Sequence, residues 1–253
     1  MDQKIALITG ATAGIGYETA LLLAENNFNL ILTGRRKDKL ESLKKEIETR
    51  HTSKVLLLNF DIQKKQETEN ALESIPQEWQ SVDVLINNAG LAAGLDPINS
   101  ASIDDWEAMI DTNIKGLLYV TRKVSNWMIE HKKGQIINLS SIAGKEPYPN
   151  GTVYCGTKSA VAAISRAMRI DLLPYGIKVS SIAPGAVNTE FSFVRFHGDK
   201  QRAENVYNGF IPLSGKDIAE TILFILSRPA HVNIDDILIT PTAQGSARDF
   251  YRK

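Results

Sequence analysis

A short apolar run, Lys4-Ile-Ala-Leu-Ile-Thr9, breaks at Gly10-Ala-Thr-Ala-Gly14-Ile-Gly16 and resumes as a helical pattern through Thr19, Ala20, Leu22, Leu23 and Phe28. Strand, glycine turn and helix in immediate succession is the arrangement that cradles a pyrophosphate. Glycines let backbone N–H groups approach phosphate oxygens, and the positive end of the helix dipole favours their charge. Gly10, Thr12, Ala13, Gly14, Ile15 and Gly16 are therefore candidate contacts to a nucleotide. The turn lacks the Gly-Lys-Ser/Thr ending of a P-loop, so phosphoryl transfer has no lysine in place.

The rest of the chain repeats the rhythm. A second strand, Asn29–Thr33, ends in Gly34-Arg35-Arg36 with no acid beside it. In a dinucleotide fold an acid here accepts from the adenosine ribose, whereas guanidinium groups pair with a 2′-phosphate. Arg35 and Arg36 thus argue for NADP over NAD; a solvated basic face opening the charged helix Lys37 to Arg50 is the other reading. The third strand, Lys54–Phe60, delivers Asp61 and Ile62 as a carboxylate and an apolar side chain for the adenine edge. A polar helix from about Gln63 to Ser74 precedes the fourth strand, Val82–Ile86, which runs into Asn87-Asn88-Ala89-Gly90. Small residues at a strand end permit close backbone approach to a cofactor. A long helix from about Ile103 to Glu130 contains Asn113, which is mildly unfavourable there and either has a task or faces water.

After a strand from Gly134 to Ser140 and a helix opening near Thr152, the strand Ile177–Ala183 turns at Pro184-Gly185-Ala-Val187-Asn-Thr189. Residues 189–211 are irregular in pattern and rich in aromatics, which reads as a lid or as core packing. A last helix, Lys216 to Ser227, a strand, Asp236 to Thr240, and a tail over 241–253 follow. Strands alternating with helices imply a parallel sheet with helices on both faces, binding ligands at the strands' carboxyl ends. No linker or repeat divides the chain, so a single α/β domain over residues 1–253 is expected.

Chemistry concentrates between Ser140 and Lys158. On a helix, Tyr154 and Lys158 lie four residues apart on one face. A phenol normally keeps its proton to pH ~10. An ammonium at ~4 Å in an effective dielectric of ~20 favours the phenolate by roughly 4 kcal/mol, or about three pH units before desolvation opposes it. Tyr154 then falls in the working range of a general acid or base. Ser141, at the end of the preceding strand, brings a second hydroxyl to the same sheet edge, and a carbonyl oxygen could sit between the two.

Composition excludes several alternatives. The 29 basic and 29 acidic residues cancel, so no global field attracts nucleic acid or an anionic membrane, and the partner is expected to be a small molecule. Four histidines without ligand spacing and one cysteine, Cys155, speak against a metal mechanism. No Gly-x-Ser-x-Gly elbow is present for a hydrolase. With no apolar run of spanning length, a soluble cytoplasmic protein is expected.

Taken together, Thr9-Gly10-Ala-Thr-Ala-Gly14-Ile-Gly16, Asn87-Asn88-Ala89-Gly90, Asn113, Ser141, Tyr154-x-x-x-Lys158 and Pro184-Gly185 resemble the short-chain dehydrogenase/reductase family over nearly the whole chain. The resemblance implies a Rossmann-type domain with a seven-stranded parallel sheet, built into homotetramers. It also implies roles: Tyr154 as acid/base, Lys158 lowering its pKa and holding the nicotinamide ribose, Ser141 orienting the carbonyl, and Asn113 supporting a water that links Lys158 to solvent. Contacts from Asn88, Ala89, Gly90, Pro184, Gly185, Val187 and Thr189 to the cofactor belong to the same expectation.

A narrower likeness lies in Asn188-Thr-Glu-Phe-Ser-Phe-Val-Arg-Phe-His-Gly-Asp199, Arg228–Ile234 and Pro241-Thr-Ala-Gln244, which resemble the NADP-dependent 3-hydroxy acid dehydrogenases. That branch oxidises L-allo-threonine, serine and 3-hydroxyisobutyrate-type substrates and reduces malonic semialdehyde. The chain departs from it in a shorter turn before Thr189 and a different tail after Gln244; Ala13 also stands where many members of the wider family carry a basic residue. Tyr148 and Arg195 are the candidate substrate contacts, Arg195 either pairing a carboxylate or lying exposed. A carbonyl or 3-oxoacyl reductase of broader specificity is the alternative enzyme, to be told apart by an open channel near 91–94, 147–150 and 191–196. An NADP-binding sensor or scaffold is the non-enzymatic alternative.

Overall fold

Alternation along the apolar strands decides how the helices are distributed. In β1 (Ile5–Ile8) and β2 (Asn29–Gly34), Ala6, Ile8, Leu30 and Leu32 face one core, while Ile5, Leu7 and Ile31 face the other. Both faces need cover, which parallel strands receive from their crossover helices. The computed structural model describes residues 3–253. Met1 and Asp2, included in the domain expected from sequence, lie outside the described residues.

The remaining strands of the sheet are β3 (Val55–Asn59), β4 (Val82–Asn87), β5 (Gly134–Leu139), β6 (Ile177–Pro184) and, after the small pair β7 (Val187–Asn188) and β8 (Leu213–Ser214), β9 (Asp236–Ile239). The seven-stranded order is β3-β2-β1-β4-β5-β6-β9, every pairing parallel. Helices α1 (Gly14–Glu25) and α2 (Lys37–Arg50) cover one face together with the later helix α9 (Gly215–Leu226). On the other lie α3 (Lys65–Glu73), α5 (Leu117–His131) and α6 (Thr152–Leu172). The expected α/β architecture is present. Strand order reverses between β1 and β4, which opens a crevice at the carboxyl edge. No helix among the described residues is long and apolar enough to cross a membrane.

Two expectations are corrected. The single helix from Ile103 to Glu130 is three pieces: α4 (Ile103–Ile110), a π-helical turn over Asp111–Gly116, and α5. One turn with wider hydrogen bonding preserves the apolar stripe on either side, so periodicity passes through it unmarked; such turns often mark functional positions. Asn113 sits in that turn and is buried, not water-facing. Segment 189–211 is also more regular than its pattern suggests. It holds the short helices α7 (Phe191–Arg195) and α8 (Lys200–Asn205), rooted by the pairing of β7 with β8.

A buried polar cluster fastens the sheet to its helices just below the crevice. Asn87 on β4 donates to Asn138 on β5 at 2.8 Å and to Thr121 on α5 at 2.8 Å. Asn138 in turn donates to Ser165 on α6 at 2.9 Å. Removing one member strands the others without water. Asn138→Ala is therefore expected to cost about 2–4 kcal/mol in urea unfolding; a loss within experimental error would show that the cluster is not a fastening.

Candidate active site

At the carboxyl ends of β1, β2, β4, β5 and β6 lies a cavity of about 390 Å³. Its floor is the glycine turn, where Gly10 and Gly14 take positive φ values of 67° and 54°. Added side chains would close the cradle. A Cβ on Gly10 would stand 3.0 Å from the Ala89 Cα, and one on Gly14 2.9 Å from the Thr189 methyl. Helix α1 has Ala13 as its N-cap, makes no side-chain capping bond and carries no acid in its first turn. Unspent N–H donors and the positive dipole end therefore remain for an anion, which is what a pyrophosphate needs. The residues present fit a dinucleotide.

Most of the predicted cofactor contacts line this one cavity: Thr12, Ala13 and Ile15 of the turn, Arg35 and Arg36 after β2, Asp61 and Ile62 after β3, Asn88, Ala89 and Gly90 after β4, and Pro184, Gly185, Val187 and Thr189 after β6. Gly16 does not. It lies inside α1, where any side chain would drive into the Gly10 carbonyl, so it packs the helix onto the turn. Asn88 acts partly as a tie as well, its amide donating to the carbonyls of Thr9 at 2.9 Å and Gly10 at 3.1 Å. Thr9 completes that tie by accepting from the backbone N–H groups of Asn88 and Ala89.

Ser141, Tyr154 and Lys158 meet at the cavity's inner end, all three buried. Ser141 opens a short 3₁₀ turn, accepts from the Ala143 N–H at 3.1 Å, and lies close enough to the Tyr154 phenol to lower its pKa. Two neighbouring hydroxyls can both donate to one further oxygen. Lys158, one helical turn beyond Tyr154, donates to the Leu139 carbonyl at 2.9 Å, and burial lowers its pKa to about 8. Asn113 accepts from the Leu91 N–H and donates to the Leu91 carbonyl, both at 2.8 Å, and donates to Thr157 at 3.0 Å. Between Asn113 and Lys158 stands Gly90, where a Cβ would fall 3.2 Å from Nζ and 3.3 Å from Oδ1. Thr157 carried no signal in the sequence, since a threonine inside a helix is unremarkable there.

The electrostatics correct one expectation. Tyr154 is pushed well above the usual tyrosine range, first by burial and next by Tyr148, while the Ser141 hydrogen bond and the Arg195 charge oppose the rise. The ammonium expected to lower it is drawn instead to the Leu139 carbonyl, and desolvation exceeds what remains. The cation nearest the ring face is Arg195, 5.2 Å from its centre.

The arginines hold a second surprise. Arg36 donates to Thr12 and pairs with Glu190 at 2.8 Å, and Arg35 lies 3.7 Å from Asp61. No acid follows β2 in sequence, yet two arrive from distant segments. Arg195 differs: its Nη2 donates to the Tyr148 hydroxyl at 2.6 Å and its Nε to the Gly94 carbonyl at 3.4 Å. Those contacts include no carboxylate.

A buried ammonium should be costly. Below pH 8 both folded and unfolded chains carry the Lys158 proton and the fold bears the full cost of burying it. Between about 8 and 10.5 the unfolded chain binds more protons, so this contribution to stability rises with pH. Lys158→Met is accordingly expected to gain about 1–2 kcal/mol at pH 7, after leaving the Leu139 carbonyl unpaired. The gain should shrink by pH 9.5 in denaturant titrations; a variant less stable than wild type at pH 7 would contradict the burial cost.

Comparison with known proteins agrees with this geometry. The family model for short chain dehydrogenases matches residues 4–198. An NADP-dependent 3-hydroxy acid dehydrogenase of Schizosaccharomyces pombe is 46% identical over 254 residues, covering 100% of this chain and 98% of the relative. One from Escherichia coli K12 is 42% identical, covering 96% and 97%. Among solved structures, the closed form of a serine dehydrogenase complexed with NADP+ superposes with a TM-score of 0.92 at 41% identity, over 98% of this chain and 100% of that one. By its motifs, sheet order and these likenesses, the chain belongs to the short-chain dehydrogenase family.

Proposed function

We propose that the protein is an NADP-dependent oxidoreductase acting on the 3-hydroxyl or 3-oxo carbon of short 3-hydroxy acids such as serine, L-allo-threonine and 3-hydroxyisobutyrate, or malonic semialdehyde in reverse. Relatives at 42% and 46% identity are named NADP-dependent 3-hydroxy acid dehydrogenases, and the NADP-complexed serine dehydrogenase is similar over nearly its whole length. The observation carrying the substrate class is Arg195, a guanidinium without a carboxylate partner among the described residues, 5.2 Å from the ring of the proposed acid/base. When bound, NADP supplies the hydride acceptor, and NADPH the donor.

The chain's own residues do the rest. Gly10, Thr12 to Ile15, Asn88 to Gly90 and Thr189 would hold the pyrophosphate and riboses, and Arg35 and Arg36 the 2′-phosphate. Arg195 orients the substrate by a charge-assisted pair with its carboxylate. Ser141 donates to the substrate oxygen, and Tyr154 takes the hydroxyl proton in oxidation and returns it in reduction. Lys158 offers a nearby ammonium, brought close to neutral pH by burial, from which that proton can be exchanged. Asn113 fixes the Leu91 backbone and Thr157, and so the floor beneath Lys158.

A small substrate is favoured over an acyl chain. The Gly94 N–H donates to the Arg195 carbonyl at 2.9 Å, which ties the segment after β4 to α7 on that side of the site. Segment 189–211 is the proposed lid. Assembly into a homotetramer is proposed on the family resemblance.

Steady-state rates with NADP should be measurable for at least one of serine, L-allo-threonine and 3-hydroxyisobutyrate; turnover of none would end the substrate proposal. Tyr154→Phe should retain cofactor affinity while kcat falls by at least ~100-fold. Arg195→Met should lower kcat/KM for these acids by ~100-fold and leave an uncharged ketone nearly unaffected. Equal losses on both substrates would remove Arg195 from carboxylate recognition.

A further inference from the structure

Arg36 is held along two edges by different parts of the chain. Its Nε and Nη2 donate to the Thr12 hydroxyl at 3.3 and 3.0 Å, and Nη2 also reaches the Thr12 carbonyl at 3.2 Å. Thr12 belongs to the glycine turn, so this edge is fixed to the cradle. The other edge, Nη1, donates to the Glu190 carboxylate at 2.8 Å. Arg36 and Glu190 stand 154 residues apart and line the same cavity. A planar guanidinium presents few donor edges, and a phosphate monoester carrying ≈ −1.5 to −2 charge would claim the same one. A carboxylate that stayed beside it would be repelled. Glu190 is the only residue between Thr189, whose methyl rests against Gly14, and the short helix α7. That helix brings Phe191 to 5.7 Å from the Tyr154 ring and Arg195 to 5.2 Å. Its first turn is closed by the Val194 N–H on the Glu190 carbonyl at 3.0 Å, so the backbone of Glu190 and the helix move together.

We infer that Glu190 competes with the cofactor's 2′-phosphate for Arg36, and that the exchange shifts the root of α7, coupling the adenosine end of the cleft to the substrate end. This rests on the NADP reading given above. Arg36 thereby reads the phosphate twice, once by affinity and once through the position of Arg195. A cofactor lacking the phosphate leaves Glu190 on Arg36 and α7 where it stands. The pair suits such an exchange because both side chains are about half exposed, at 42% and 53%. Ion pairs of that exposure shift equilibria only a few-fold. The looser Arg35–Asp61 contact, with Arg35 61% exposed, touches no part of α7 and has no comparable lever.

Fragments of the cofactor separate the two claims. Calorimetric titration of 2′,5′-ADP and 5′-AMP should show a preference of wild type for 2′,5′-ADP. Glu190→Gln should tighten 2′,5′-ADP by roughly two- to fivefold and leave 5′-AMP unchanged. Hydrogen exchange over 190–195 should respond to 2′,5′-ADP and not to 5′-AMP in wild type, and the unliganded variant should already show the shifted pattern. Unchanged or weaker 2′,5′-ADP binding by the variant, with the wild-type preference intact, would overturn the competition. Tighter binding with unaltered exchange would overturn the coupling. No wild-type preference at all would refute the NADP reading itself, and the inference with it.

Discussion

Lys158 carries its ammonium into the buried wall of the cavity, and the surrounding structure is arranged to tolerate it. Desolvation lowers its pKa to about 8, which is a measure of how much the fold gives up to keep a charge there. Four neighbours make the position hold. The Leu139 carbonyl, at the end of β5, takes the Nζ proton at 2.9 Å, and the Ser140 hydroxyl donates to the Lys158 carbonyl at the same distance. Gly90 leaves room beside Nζ, and Gly144 lets the 3₁₀ turn lie against the Lys158 backbone, where a Cβ would come within 2.6 Å of its carbonyl oxygen. The end of β5 and the first turns of α6 thus meet at this residue, and the end of β4 leaves it room. Ser141 and Tyr154 inherit their placement from the same three elements.

That dependence explains what could be read from the sequence and what could not. The strands, the glycine turn and the four-residue step from Tyr154 to Lys158 are local patterns of apolar spacing and residue type, and each survives into the structure with boundaries shifted by a residue or two. Nearly all the residues expected to contact a cofactor at the carboxyl edge line one cavity. Contacts between distant segments were illegible. Nothing in Arg36 announces Glu190, and nothing in Arg35 announces Asp61 as its own partner, because charge pairing across the cleft is decided by the fold. Burial was illegible for the same reason, so the phenol's pKa was expected to fall under a neighbouring charge when desolvation raises it. The π-turn escaped because it alters hydrogen bonding without disturbing the apolar stripe.

The raised pKa of Tyr154 bears on how such a residue can serve as a base. A phenol that holds its proton firmly is a ready acid, which suits reduction, while oxidation requires the phenolate to be favoured at the moment of proton transfer. Of the chain's own groups, the Ser141 hydrogen bond and the Arg195 charge already push in that direction. A substrate carboxylate pairing with Arg195 would neutralise part of that help. Lys158, one helical turn away, is the other cation at the site, and its Nζ is engaged by the Leu139 carbonyl.

Segment 189–211 is anchored unevenly, and the asymmetry decides which part can move. Its far end is held largely through backbone: the Lys253 N–H donates to the Gly209 carbonyl at 2.8 Å, Arg252 donates to the carbonyls of Val206 and Asn208, and the rings of Phe210 and Phe250 lie 4.9 Å apart. The tail that does this is itself tied to the sheet, since Gln244 accepts from the Ala186 N–H at 2.8 Å. Its near end is held by the Thr189 hydroxyl, by the half-exposed pair of Glu190 with Arg36, and by Arg195, whose carbonyl accepts from the Gly94 N–H at 2.9 Å and whose Nη2 donates to the Tyr148 hydroxyl at 2.6 Å. Backbone contacts backed by packed rings open less readily than an exposed ion pair. The contact most readily broken along the segment is therefore the pair of Glu190 with Arg36, at the root of α7.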